Sequence, residues 1–250
     1  MNISNIFKKL LFMIKLIKFS NNRTDNMIYY LFCSLPVLLI TGPFLSDLAV
    51  VLICFYSFFK IKNNSKYFFL INNKYFVIFT LFCLNSLIVT LYNYFKLPSY
   101  SRDFDTVINS MFYFRYFLFS IGVIILIFEN KKVLNYFFII SFLCLGAFFI
   151  DAFYQFFFKT NIFGLEISPD ERVSSFFGDE LILGSYSLRI FLLIFPIYFY
   201  LKNEIKFKKI YISLLLLITL SLVIISGERS SLILFFLAIS IFCFFIKISF

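Results

Sequence analysis

Six arginines carry most of the chemistry this sequence offers. Five of them, Arg102, Arg115, Arg172, Arg189 and Arg229, lie in or just beside one alternating set of polar breaks, whereas of the 17 lysines only Lys96 and Lys159 do. The planar guanidinium grips phosphate or carboxylate through two parallel hydrogen bonds, stays charged when buried and is less strongly hydrated than an ammonium. Arginines gathered on one side therefore describe an anion-binding face. Beside them stand Glu228, in the five-residue turn GERSS with Arg229, Asp179 just ahead of an apolar run, and Asp151 inside another. The absence of histidine excludes a Ser-His-Asp set, and no Walker loop, zincin motif or nucleotide-binding pattern occurs.

The elements that must position these residues are transmembrane helices. The chain is 62% hydrophobic and 14% charged, with a mean hydropathy of +0.94, far from the balance of a soluble domain. The fold class expected is all-α, a polytopic transmembrane helical bundle of about eight spans. Apolar runs cover 27–44, 46–59, 75–95, 108–128, 134–156, 181–201, 210–226 and 232–250. Most approach the roughly 20 helical residues that cross a hydrocarbon core; the second is the shortest. Residues 1–26 interleave Lys8, Lys9, Lys15 and Lys18 with apolar positions at helical spacing, which predicts an amphipathic helix lying on the cytoplasmic leaflet. Residues 27–250 form the transmembrane domain.

Net charge +10 does not point to nucleic acid, because the lysines are scattered through short loops between apolar runs. Sixteen Lys and Arg fall on one set of loops, five on the other and two within spans. The positive-inside rule then puts both termini in the cytoplasm. The breaks near 96–107, 157–180 and 227–231 face outward, with the arginines. The five cysteines all lie in apolar runs, without a CxxC pair, and read as small core residues rather than disulfides or metal ligands. No metal and no cofactor is expected.

Depth adds a further expectation. At about 1.5 Å per helical residue, Arg115 lies roughly 10 Å, Arg189 roughly 12 Å and Asp151 roughly 8 Å below the outer ends of three consecutive spans. An ionisable group inside a membrane is costly and marks a functional position by default. Asp151 and Gln155 share one helix face, as do Ser185 and Arg189. Asp151 paired with Arg115 or Arg189 would be a structural ion pair, and an arginine so near the interface can also snorkel to the headgroups.

Three stretches, TGPFLSD at 41–47, RVSSFFGDELILGSY at 172–186 and SGERSSLILFF at 226–236, resemble the bacterial O-antigen ligase and O-antigen polymerase superfamily. The resemblance implies a glycosyltransferase of the bacterial inner membrane, multi-pass and active on the periplasmic face. It would move a polyprenyl-pyrophosphate-linked glycan donor onto lipid A core or a growing glycan, with the lipid bilayer as its medium. Arg172 and Arg229 stand where the family's motif arginines stand and would neutralise the pyrophosphate leaving group. Arg115 and Arg189 join that set on depth alone, with Asp151 and Asp179 supporting.

The resemblance also implies a histidine base in a large outer loop after the eighth span. With no histidine present, either the chain is the N-terminal part of a longer protein, incomplete at its C-terminus, or a carboxylate such as Glu228 or Asp179 serves as base. The alternative function is a transporter or flippase for an anionic or lipid-linked substrate, which would also line a path with intramembrane Arg and Asp. That reading wants charges reachable from both leaflets, and here they crowd to one.

Overall fold

The computed structural model describes residues 23–70, 74–96, 104–168, 170–201 and 208–246, without the side chains of 208, 209, 245 and 246. The helices are α1 (Arg23–Leu38), α2 (Pro43–Asn63), α3 (Lys74–Lys96), α4 (Phe104–Phe112), α5 (Phe114–Glu129), α6 (Lys132–Phe158), α7 (Leu183–Tyr200), α8 (Lys208–Ile225) and α9 (Arg229–Ile246). Among the described residues there is no β-strand, only an isolated bridge between Thr160 and Glu166. Among the described residues six helical stretches are long and apolar enough to cross a membrane: Arg23–Thr41, Pro43–Asn63, Lys74–Lys96, Phe104–Glu129, Lys132–Phe158 and Leu183–Tyr200. Helices α8 and α9 are apolar but shorter over Ile210–Ile225 and Arg229–Phe244.

The short second run becomes a 21-residue helix. Lys60 and Lys62 continue α2 to Asn63, because the apolar stems of lysine run along the helix while the ammonium groups reach past the apolar zone. Elsewhere the helix ends follow the polar breaks, except that the run expected over 108–128 begins earlier, at Phe104, and is interrupted at Tyr113 between α4 and α5. The amphipathic helix expected over residues 1–26 lies outside the described residues, apart from 23–26, which open α1.

The chain divides into two compact units, Met1–Leu35 with Gly42–Val133 and Pro36–Thr41 with Leu134–Phe250. In the first unit α2 lies along α5. Ala49, Ile53, Cys54 and Ser57 of α2 are buried, as are Ile121, Gly122, Ile125 and Leu126 of α5. A Cβ on Gly122 would stand 2.8 Å from Ile53 Cγ2 and 3.3 Å from Ser57 Cβ. The small residue is what lets the two helices approach, the usual basis of helix packing in lipid.

In the second unit α7 is the central helix. Its buried face carries Leu183, Gly184, Ser187, Phe191, Ile194, Phe195 and Tyr198. Phe191 meets Phe235 and Phe195 meets Phe242 of α9 at ring separations of 5.2 and 4.8 Å. Phe148 of α6 packs on Phe176, Phe177 and Tyr186. The Tyr186 hydroxyl donates to the carbonyl of Pro36, in the short segment 36–41 that belongs to this unit.

Candidate functional site

The turn between α8 and α9 is the anchor. Gly227 takes the left-handed conformation, φ +69°, and its N–H returns to the Ile224 carbonyl at 3.1 Å, a glycine stop of the kind that ends many helices. Glu228 then precedes α9, its carbonyl accepting the Leu232 N–H at 3.2 Å. Its carboxylate is engaged at both oxygens. Oε2 accepts from the Ser231 hydroxyl at 2.7 Å, and Oε1 from the Gly184 N–H at 2.9 Å. One acid thus ties Ser231 in the first turn of its own helix to the first turn of α7, whose free Gly184 N–H it caps and where a negative charge interacts favourably with the helix dipole.

Arg172 reaches the same turn from the long loop. Its Nε donates to the Ser226 carbonyl at 3.2 Å across 54 residues of sequence. Its stem lies over Gly227, whose absent Cβ would be 3.5 Å from Arg172 Cγ. No partner occupies the two terminal guanidinium nitrogens among the described residues. The backbone behind Arg172 is fixed by Ser168, whose hydroxyl donates to the Arg172 carbonyl at 3.0 Å and accepts its N–H at 3.1 Å.

Between Arg172 and Gly184 the loop is held by α6. Ser175, fully buried and left-handed at φ +53°, has every polar group engaged by a different side chain. Its hydroxyl donates to Asp151 Oδ2, its N–H to Gln155 Oε1 at 2.7 Å, and its carbonyl accepts from Asn161 Nδ2 at 3.0 Å. A non-glycine residue held left-handed persists only where its surroundings over-determine it, and here three side chains do so. Asp151 and Gln155 share a helix face and use it on this loop.

The remaining expected site residues fall as follows. Arg229, at the start of α9, is exposed and makes no hydrogen bond or ion pair among the described residues. Asp179 is likewise exposed and unpartnered. Arg189 lies on the open face of α7, exposed, with no partner among the described residues. Asp151 does not pair with Arg189. Its oxygens are taken by Ser175 and by the Ile162 N–H at 2.9 Å.

Arg115 belongs to the first unit. Its Nη2 donates to Asp47 Oδ2 at 3.1 Å and to the Tyr116 hydroxyl at 2.9 Å, while Nε is buried without a partner. Asp47, the one charge in the early TGPFLSD turn, is therefore this arginine's counter-ion. The depth estimate for Arg115 carries no information on the direction it faces.

A second polar cluster, in the first unit, was missed in the sequence. Lys60 Nζ bridges Asp25 Oδ1 at 3.2 Å and Glu129 Oε1 at 2.9 Å. The hydroxyls of Tyr29, Tyr56 and Tyr67 donate to the same Glu129 carboxylate at 3.3, 3.0 and 3.0 Å. Lys60 and Glu129 read as loop charges at the ends of their runs; only Tyr29 and Tyr56, about two turns inside α1 and α2, signal a network, and Tyr67 comes from the short turn Ser65–Leu70. Among the described residues no three His, Cys, Asp or Glu side chains converge as a metal would need.

Comparison of the chain with protein-family models, with curated proteins and with solved structures finds no match.

Proposed function

We propose that the chain is a membrane glycosyltransferase of the O-antigen ligase or polymerase type. It transfers a polyprenyl-pyrophosphate-linked glycan to lipid A core or a growing glycan at the periplasmic face of the bacterial inner membrane. In this reading α8 and α9 are spans seven and eight, and both termini are cytoplasmic. The single observation that carries the proposal is the double clasp on one turn. Arg172 binds the Ser226 carbonyl at one end of the loop motif, and Gly184 binds Glu228 at the other. Two motifs that are far apart in sequence therefore present Arg172, with its terminal nitrogens free among the described residues, beside a turn that carries Arg229.

The chemistry follows from charge. The bond between the anomeric carbon and the pyrophosphate oxygen breaks, its electron pair leaving with the pyrophosphate. The acceptor hydroxyl oxygen forms the new bond, and its proton passes to a base. Negative charge grows on the departing oxygen, and guanidinium groups fixed beforehand interact with it more strongly in the transition state than in the donor. Of the two carboxylates considered as base, Glu228 has donors on both oxygens, whereas Asp179 is unencumbered among the described residues.

The test is glycan transfer by membranes carrying the intact protein. Arg172→Ala and Arg229→Ala should each lower transfer on the order of a hundredfold with normal membrane insertion. Arg172→Lys should not restore it, since an ammonium lacks the bidentate fork. Full transfer in either alanine variant removes the site. Loss of lipid-linked glycan from the outer leaflet, with transfer of supplied donor intact, would move the assignment to a flippase.

A further inference from the structure

The hairpin after α6 has a composition and a bonding pattern at odds with a water-facing loop. Its tip, Ile162–Phe163–Gly164–Leu165, carries only apolar side chains, and Ile162, Phe163 and Leu165 are 57%, 77% and 41% exposed. Exposed backbone in water needs no protein partner. Here five consecutive amides have one. Asn161 N–H donates to the Leu165 carbonyl at 2.8 Å, Ile162 N–H to Asp151 Oδ1 at 2.9 Å and Gly164 N–H to the Asn161 carbonyl at 2.9 Å. Phe163 and Leu165 N–H both donate to Asn161 Oδ1, at 3.0 and 2.7 Å. Every donor at the tip is thus held by the protein, while the carbonyls of Ile162, Phe163 and Gly164 have no partner among the described residues; such a backbone suits the boundary between headgroups and acyl chains, where those carbonyls still reach water, and not the hydrocarbon interior.

The hairpin's level agrees. Asp151 is seven residues before the end of α6 at Phe158, so the bond to Ile162 folds the tip back roughly 10 Å along the helix. Helix α6 has 27 residues, about 40 Å, against a hydrocarbon core of about 30 Å. Measured from Lys132, that core ends near Asp151. The tip therefore sits at the edge of the hydrocarbon and not above it. Phe157 and Phe158, at 70% and 65% exposure, continue the apolar surface from the tip onto the helix end. Phe163 leans on Phe176 with ring centroids 5.5 Å apart, so the tip is braced as it projects.

We infer that residues 159–167 form an interfacial hairpin whose apolar tip side chains, Ile162, Phe163 and Leu165, enter the boundary between headgroups and acyl chains of the leaflet on the loop's side of the membrane. The partner is lipid. The inference rests on α6 crossing the membrane and is independent of the glycosyl-transfer chemistry.

The sequence contains no tryptophan, so a single introduced one reports alone. Phe163→Trp in the full chain, reconstituted into phosphatidylcholine vesicles with brominated acyl chains, should lose fluorescence about as strongly as Ile150→Trp, an exposed position on α6. Its emission should be blue-shifted and insensitive to aqueous iodide, with Asp170→Trp in the exposed loop as the iodide-quenched reference. Quenching of Phe163→Trp by iodide overturns the inference, because the tip is then in water. Quenching by neither agent also overturns it, because the tip is then covered by protein. Leu165→Trp is measured in parallel, so that a folding defect of one variant leaves the other to decide.

Discussion

Gly184 shows how much a single hydrogen atom in place of a side chain carries here. A Cβ at this position would lie 2.4 Å from Ser226 Oγ and 3.1 Å from both Cβ and Cδ of Glu228. Ser226 is buried, so it has little room to turn away. Gly184→Ala must therefore push the turn off the start of α7 and break the Glu228 cap, at a cost of about 1–3 kcal/mol by analogy with overpacked cores. Thermal unfolding in detergent should show a lower midpoint, and Ser226→Ala in the same chain should recover part of the loss. An unchanged midpoint for Gly184→Ala would mean that the turn and α7 are not in contact. The types of the site residues were readable in the sequence, since arginine, glutamate and aspartate announce themselves in an apolar background. The role of Gly184 was not: it reads as one more small residue in a span until its neighbour from 44 residues away is known.

At the scale of elements, the Glu129 clasp ties together α1, α2, α5 and the short turn Ser65–Leu70. One carboxylate accepts from an ammonium and three phenols, and Tyr29 and Tyr67 are buried. Removing the acceptor takes its partner from the buried Tyr67 hydroxyl and one of two carboxylates from Lys60, and each unsatisfied buried donor costs about 1–3 kcal/mol. Glu129→Ala should thus destabilise the first unit by roughly 3 kcal/mol or more, and Glu129→Gln, which keeps one carbonyl acceptor, by less. Unfolding followed by protease accessibility at the loop around Asn64 separates the two. Helix ends were legible because polar and charged residues bound each apolar run. Pairings between helices were not, because spans that are apolar on all sides carry little amphipathic signal to fix their rotation. Arg115 illustrates the gap: its depth was computable, whereas Asp47, 68 residues away, became its partner only through the rotation of α2 against α5.

For the whole molecule, the distribution of charge and the direction of the helices make one joint statement. Lys60, Lys62, Glu129 and Lys132 lie at the ends of α2 and α5 and the start of α6, whereas Asp47 and Arg115 lie near the opposite ends of α2 and α5. In the second unit, the end of α6, the start of α7, the end of α8 and the start of α9 all contribute to the loop and turn that hold Arg172 and Glu228. If the lysine-rich ends are cytoplasmic, as the positive-inside rule requires, Asp179 and Lys62 are on opposite sides of the membrane. Both are exposed, and Cys243 is the one exposed native cysteine. With Cys243→Ser as background, Asp179→Cys in intact spheroplasts should react with a membrane-impermeant maleimide, and Lys62→Cys only after the membrane is opened. The reverse pattern would invert the protein, put its arginines in the cytoplasm, and take away the outer-face donor on which the proposed transfer depends. Equal labelling of both without permeabilisation would mean that the segment between them crosses the membrane an even number of times, leaving the count of eight spans wrong.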